Sequence, residues 1–279
     1  MPEVVAIDAH QHLWKYDPVE YGWIQDGMPE LKRDFLPPDL KHEMDSMGVG
    51  GAIAVQARQT LEETEWLLRL AREYDFLRAV VGWVPLLERN VTEPLERFAV
   101  DAKLRGVRHL IQDEADDDFI LRKDFQEGIK RLRTFGLAYD ILIHERHLPQ
   151  TIRFVDQHPY QIFVLDHAAK PRIRHNVMTP WRENLRELAR RPNVYCKLSG
   201  MVTEAEWKSW TPASVKPYFD IAMEAFGPRR LMFGTDWPVL TLAGTYAGWT
   251  GMVRQWIGGL TREEQQRILR GTAIEAYGL

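Results

Sequence analysis

"AIDAHQHLW" (residues 6–14) is an apolar run that finishes on two histidines spaced two apart. Alternate side chains of a strand share a face, so His10 and His12 point the same way where the strand ends. The turn it enters, "HQHLWKYD" (10–17), is polar and contains no glycine. An open doubly wound sheet that binds a dinucleotide carries a glycine-rich turn at that point. "GVGG" (48–51) lacks the third glycine of that fingerprint and precedes a strand instead of following one. The opening stretch therefore reads as the first strand of a different parallel sheet, with ligand-type residues at its end.

Seven further apolar runs follow the one at 4–9. They lie at 51–56, 79–84, 106–111, 137–144, 161–167, 193–199 and 230–236. Amphipathic segments separate them. Thr60 with Glu63, and Thr261 with Glu264, have the spacing of helix capping boxes, and Gly136 stands where a helix would end. Nearly continuous apolar strands alternating with helices indicate a parallel sheet covered by helices. Eight such units in 279 residues match a (β/α)8 TIM barrel of the α/β class, which typically takes about 250 residues. No linker, internal repeat or low-complexity stretch divides residues 1–279, so one domain is expected. The longest insertion, between the first strand and the helix near Pro38, carries Trp14, Tyr16, Tyr21 and Trp23.

The bulk properties narrow the function. Hydrophobic residues make up 45% of the chain, enough for one large core, and the net charge is −4 without a long basic stretch. Neither nucleic acid nor a membrane surface is expected as the main partner. Cys196 is the single cysteine, which rules out an intrachain disulfide and fits a reducing compartment. The start lacks the pattern of a signal peptide, and "AVVGWVPLL" (79–87) is too short to span a bilayer. A cytoplasmic protein acting on a small molecule is expected, with a homo-oligomer left open.

Barrel active sites gather where the strands end. The first strand ends on His10 and His12, the fifth on His144, the sixth on His167 and the eighth on Asp236, while the fourth carries Arg108 and His109. A single buried histidine is more often a packing residue than a ligand. Four histidines and an aspartate at equivalent places form the ligand set that zinc favours.

This pattern resembles the amidohydrolase superfamily. "IDAHQHLW", "GVRHLIQ", "VLDHAAKP", "CKLSGM", "FGTDWPV" and "GTAIEAYGL" are similar to segments of its amidohydrolase-2 branch, within the sugar-lactone lactonases of the L-fuconolactonase and L-rhamnonolactonase type. The segments run from residue 7 to 279. Binuclear members use a lysine or glutamate on strand four. "GVRHLIQDE" has no lysine and places Glu114 beyond the strand, so the resemblance implies at most one divalent metal, zinc by its ligands.

The implied activity is opening of an aldonolactone by an activated water in carbohydrate metabolism. The runner-up is a metal-dependent decarboxylase of the same branch, and a third reading is a sugar-binding barrel without activity. His10 and His12, with His144 or Asp236, would hold the metal. Asp236 would take the water proton and return it to the ring oxygen, and His167 would orient the water or donate to the carbonyl. Arg108 and Gln56 would meet the carbonyl or hydroxyls, His109 is a further candidate contact, and Trp14, Trp23 and Trp83 offer faces for a sugar ring. Arg58 could equally be a solvated loop residue, Lys197 could face the site or the helix layer, and Cys196 reads as core.

Overall fold

The computed structural model describes residues 5–279. Eight parallel strands lie side by side in chain order: β1 (Ala6–Gln11), β2 (Val49–Val55), β3 (Leu77–Gly82), β4 (Leu104–His109), β5 (Ala138–Ile141), β6 (Phe163–Leu165), β7 (Val194–Leu198) and β8 (Leu231–Phe233). The Asp236 N–H donates to the His10 carbonyl at 2.8 Å, and the His12 N–H to the Trp237 carbonyl at 2.7 Å, bringing the eighth strand back onto the first. This is the expected (β/α)8 barrel. The first expected run begins on Val4, which lies outside the described residues.

The strands form because nearly every strand residue is buried, and β-branched and small side chains fill both faces. One face packs against the helices α1 (Pro37–Ser46), α2 (Leu61–Glu73), α3 (Thr92–Ala99), α4 (Lys123–Thr134), α5 (Leu148–Asp156), α6 (Trp181–Leu188), α7 (Pro212–Phe226) and α8 (Tyr246–Trp256). On the other face Ile7, Ile53, Val81, Val164 and Met232 form a separate inner cluster. Ala273, Ala276 and Tyr277 join that cluster from the last helix, so the C-terminus plugs the end of the barrel away from His10 and His12.

Helix ends follow local chemistry. Thr60 Oγ1 accepts from the Glu63 N–H at 3.1 Å to cap α2. The Glu63 carboxylate does not close the box; it turns to the Ala57 and Arg58 N–H groups at 3.0 and 2.8 Å. Thr261 and Glu264 do cap each other, opening α9 (Arg262–Gln266). That helix continues through one wide turn, Arg267–Gly271, into α10 (Thr272–Tyr277). Gly136 takes φ +66° just past α4, a conformation that costs other residues. Among the described residues no helix is long and apolar enough to cross a membrane.

The fifth, sixth and eighth strands stop earlier than their apolar runs suggest. His144, His167 and Asp236 therefore stand on the loops that leave the strands, not on the strands themselves.

Candidate active site

The site begins with an irregularity in β1. Its register against β2 shifts between Asp8 and Gln11, which frees N–H groups from the ladder. The buried Asp8 carboxylate takes up the His10 N–H at 3.1 Å and also accepts from the Thr235 N–H at 2.9 Å and the Thr235 hydroxyl at 2.6 Å. It thereby ties β1 to the loop after β8. Burial pushes the Asp8 carboxyl up to about 6 against those bonds.

Past the shift, the two imidazoles meet with Nε2 atoms 3.2 Å apart. His12 Nδ1 lies 2.8 Å from the Val55 carbonyl, which can only accept, so Nδ1 carries the proton and Nε2 keeps a lone pair. Asp236 Oδ1 lies 3.3 Å from His12 Nε2, 3.7 Å from His10 Nε2 and 3.9 Å from His167 Nε2. His167 Nδ1 is held by the Ser199 hydroxyl at 2.9 Å.

A buried charge network lies against these groups. Asp166 sits 3.2 Å from His10 Nδ1, 2.9 Å from an Arg108 nitrogen and 3.0 Å from Lys197 Nζ. Lys197 Nζ is also 3.2 Å from His10 Nδ1 and pairs with Asp140. The Tyr277 hydroxyl, two residues from the chain end, donates to Asp140 at 2.8 Å. Two carboxylates and two cations are thus buried with no net charge.

Burial disfavours any additional charge there. It holds His10 well below the ordinary histidine range against the pull of Asp166, with Lys197 adding to the effect. It lowers His167 to about 4 although Asp236 and Asp166 oppose it. Burial alone would raise Asp236. The neighbouring His167, the bond to His12 and the proximity of His10 outweigh it and hold the carboxyl below the usual carboxylate range. At neutral pH His10 and His167 are uncharged and Asp236 is ionised.

The backbone is strained here. His167, Ala168, Ala169 and Lys170 adopt φ of 53°, 48°, 62° and 50°, and Asp236 adopts 63°. Left-handed backbone costs a non-glycine residue about 1–2 kcal/mol, and such strain collects at functional sites. Gly200 permits the His167 ring to approach: a Cβ there would stand 2.4 Å from Nδ1.

A cavity of about 520 Å3 opens over His12, Arg108, His167 and Asp236, walled by Trp23, Gln112, His144, Lys170, Glu204 and Trp207 among others. The other expected contacts lie elsewhere. Trp14 is fully buried, with its indole N–H on the Arg33 carbonyl at 2.9 Å and its ring against Tyr21, Trp23 and Phe35, so it packs the insertion and does not face the cavity. His109 alternates to the helix side of β4, where it bonds Glu114 at 2.7 Å and stacks on Phe119; Trp83 turns toward the same His109. Gln56 is buried and accepts from Arg108 at 2.8 Å, holding that guanidinium instead of walling the cavity. Arg58 pairs with Glu20 outside the site.

Several residues escaped the sequence reading. Asp166 is quoted within "VLDHAAKP" yet masked by its neighbour His167. Asp140 is a charge within an apolar strand, a signal in itself; Lys197, left open between the site and the helix layer, faces the barrel interior on Asp140 and Asp166. Lys170, Glu204 and Trp207 stand on loops that periodicity does not describe.

The donor atoms of His10, His12 and Asp236 suit a metal. Tetrahedral zinc at about 2.0–2.1 Å from its ligands keeps them about 3.3 Å apart; the three separations here are 3.2, 3.3 and 3.7 Å. His10, His167 and Asp166 make a second close group. Asp166 is already engaged by Arg108 and Lys197, which makes it the weaker ligand. His144 lines the cavity but belongs to neither group.

Known proteins with this architecture are close in sequence. The chain is 42% identical to an L-fucono-1,5-lactonase of Burkholderia multivorans, over 99% of this chain and 96% of that one. It is 37% identical to an L-fucono-1,5-lactonase of Burkholderia ambifaria, over 97% and 94%. A crystal structure of a Burkholderia multivorans amidohydrolase with bound zinc superposes with a TM-score of 0.95 at 41% identity, covering 99% of both chains. The amidohydrolase family model matches residues 7–279. By a match of that extent, and by relatives this similar along nearly the whole chain, the protein belongs to the amidohydrolase family.

Proposed function

We propose that water attacks the lactone carbonyl over the face formed by His12, His167 and Asp236. The protein is a hydrolase that opens sugar-derived lactones, and a 1,5-lactone of the L-fucono type is its substrate. The observation that carries the reading is the convergence of one carboxylate and three imidazoles beneath one cavity. The cavity is lined by both aromatic and hydrogen-bonding side chains, as a polyol ring with apolar C–H edges requires.

His10, His12 and Asp236 would hold one divalent metal, with zinc best suited to two imidazoles and a carboxylate. When bound, it supplies Lewis-acid polarisation of the substrate carbonyl. The chain's own groups do the rest. Asp236 accepts the proton of the attacking water and returns it to the ring oxygen as the C–O bond breaks. His167, with Ser199 donating to Nδ1, offers its Nε2–H to the carbonyl oxygen. Arg108, fixed by Asp166 and Gln56, places a permanent cation beside the developing negative charge. Water adds to the carbonyl carbon, the ring oxygen leaves as a hydroxyl, and the new carboxylic acid ionises.

A lactone panel in weak buffer with a pH indicator tests this. Acid release from L-fucono-1,5-lactone above the uncatalysed rate is expected. No acid from any sugar lactone, together with proton uptake on an aromatic carboxylate, would replace the reading with decarboxylation.

A further inference from the structure

We propose that Lys170 and Glu204 form a hydroxyl clamp that selects the sugar lactone by its hydroxyl pattern; the proposal rests on the lactone-opening site described above. Lys170 ends the left-handed turn that starts at His167, and its N–H donates back to the His167 carbonyl at 2.9 Å. In so tight a turn, residues three apart lie on one side. His167 and Lys170 accordingly wall the same cavity. A solvated lysine needs no strained backbone, whereas one fixed beside an active-site histidine does.

Glu204 faces Lys170 from the loop after β7, and its carbonyl is anchored by the Arg174 N–H at 2.9 Å. The side chains are 19% and 25% exposed, and Lys170 Nζ lies 3.9 Å from Glu204 Oε1. That separation is too long for a direct hydrogen bond. Among the described residues neither side chain makes a hydrogen bond, although both line the cavity. A hydroxyl is the small group that closes such a gap, because it accepts from an ammonium and donates to a carboxylate at once. Placed about 2.8 Å from each, it would see the two partners at about 90°. Burial raises the Glu204 carboxyl and Lys170 opposes this, so a hydroxyl that donates to the carboxylate also relieves its partial desolvation. The orphaned Gln112 Oε1, buried on the same cavity wall, is available to a neighbouring hydroxyl.

The test compares wild type with Lys170→Met, Glu204→Gln and Lys170→Arg. kcat and KM are measured on L-fucono-1,5-lactone and on δ-valerolactone, which has no hydroxyl groups. Both neutral variants should lower selectivity for the hydroxylated lactone at least tenfold, mainly through KM. Lys170→Arg should retain most of it. Calorimetric binding of the open-chain aldonate, scored whether or not turnover is seen, should weaken at least tenfold in the neutral variants. Equal losses on both lactones would move Lys170 to the reacting carbonyl and overturn the clamp. Unaltered selectivity, wild-type aldonate affinity in the variants, or no aldonate binding by wild type would also overturn it. Failure of wild type to release acid from any lactone would instead count against the lactonase reading.

Discussion

Lys197→Met removes one of two cations from a buried network that is otherwise neutral. Asp140 and Asp166 would remain at 0% exposure, with Arg108 paired to Asp166. Breaking a buried ion pair from one side costs about 3–5 kcal/mol, because the surviving charge keeps its desolvation penalty without its partner. At about 2.1 cal/mol/K of unfolding entropy per residue, a chain this long should lose about 5–9 °C in Tm. The pH dependence carries the mechanism. Asp140 already sits at about 6, raised by burial against the pull of Lys197, and losing Lys197 raises it further. A carboxyl whose folded pKa lies above its unfolded value is least costly when protonated, below the unfolded value. Its stability contribution falls as pH rises through the folded one. Urea denaturation should therefore show the largest loss near pH 8 and a loss at least halved near pH 5. Lys197→Met/Asp140→Asn leaves Asp166 opposite Arg108 and should recover most of the stability at pH 8. A pH-independent loss, a loss under about 1 kcal/mol, or no recovery in the double variant would refute the charge-balance argument.

Asp236→Asn keeps the side-chain shape but cannot carry the proton, so kcat should fall about 10²–10⁴-fold with the fold and metal content checked on one sample. A variant keeping its metal and more than about a tenth of wild-type kcat would hand the role to His167. Trp14→Ala should cost about 3–5 kcal/mol in denaturation experiments because that indole is wholly enclosed. Trp23→Ala, at a side chain 37% exposed on the cavity wall, should raise KM with little change in Tm. Metal analysis with anomalous scattering should find no more than one divalent ion per chain; two ions within about 4 Å of each other would contradict the single-site reading.

The barrel was legible because each strand is buried on both faces and so reads as an apolar run. The ligand-type residues stood out as polar groups ending those runs. His109 shows alternation working: if Arg108 faces the barrel interior, its neighbour must face the helices, and it does so beside Glu114 and Phe119. The period of a strand keeps Arg108 and His109 from both facing the substrate. Trp14 and Trp23 show where periodicity stops. They belong to one insertion, and their opposite fates depend on how it folds over Phe35, since the Trp14 N–H and carbonyl both pair with that residue.

Asp140 and Lys197 expose a different limit. Each is a charge inside an apolar strand, and each taken singly argues against a buried position. Alternation along β7 sends Cys196 and Leu198 into the outer core and leaves Lys197 on the opposite face, where Asp140 of β5 meets it. A charge at a barrel position that alternation turns inward implies an opposite charge on another strand, since an unpaired one would be too costly to bury. That constraint links residues 57 positions apart, beyond the reach of any local pattern. It also joins stability to chemistry: the pair that makes Lys197 tolerable inside the barrel leaves its ammonium 3.2 Å from His10 Nδ1. A cation there opposes a second proton on His10, and Asp166, 3.2 Å from the same Nδ1, is the acceptor that can hold the first proton on that nitrogen and leave Nε2 to face His12 and Asp236.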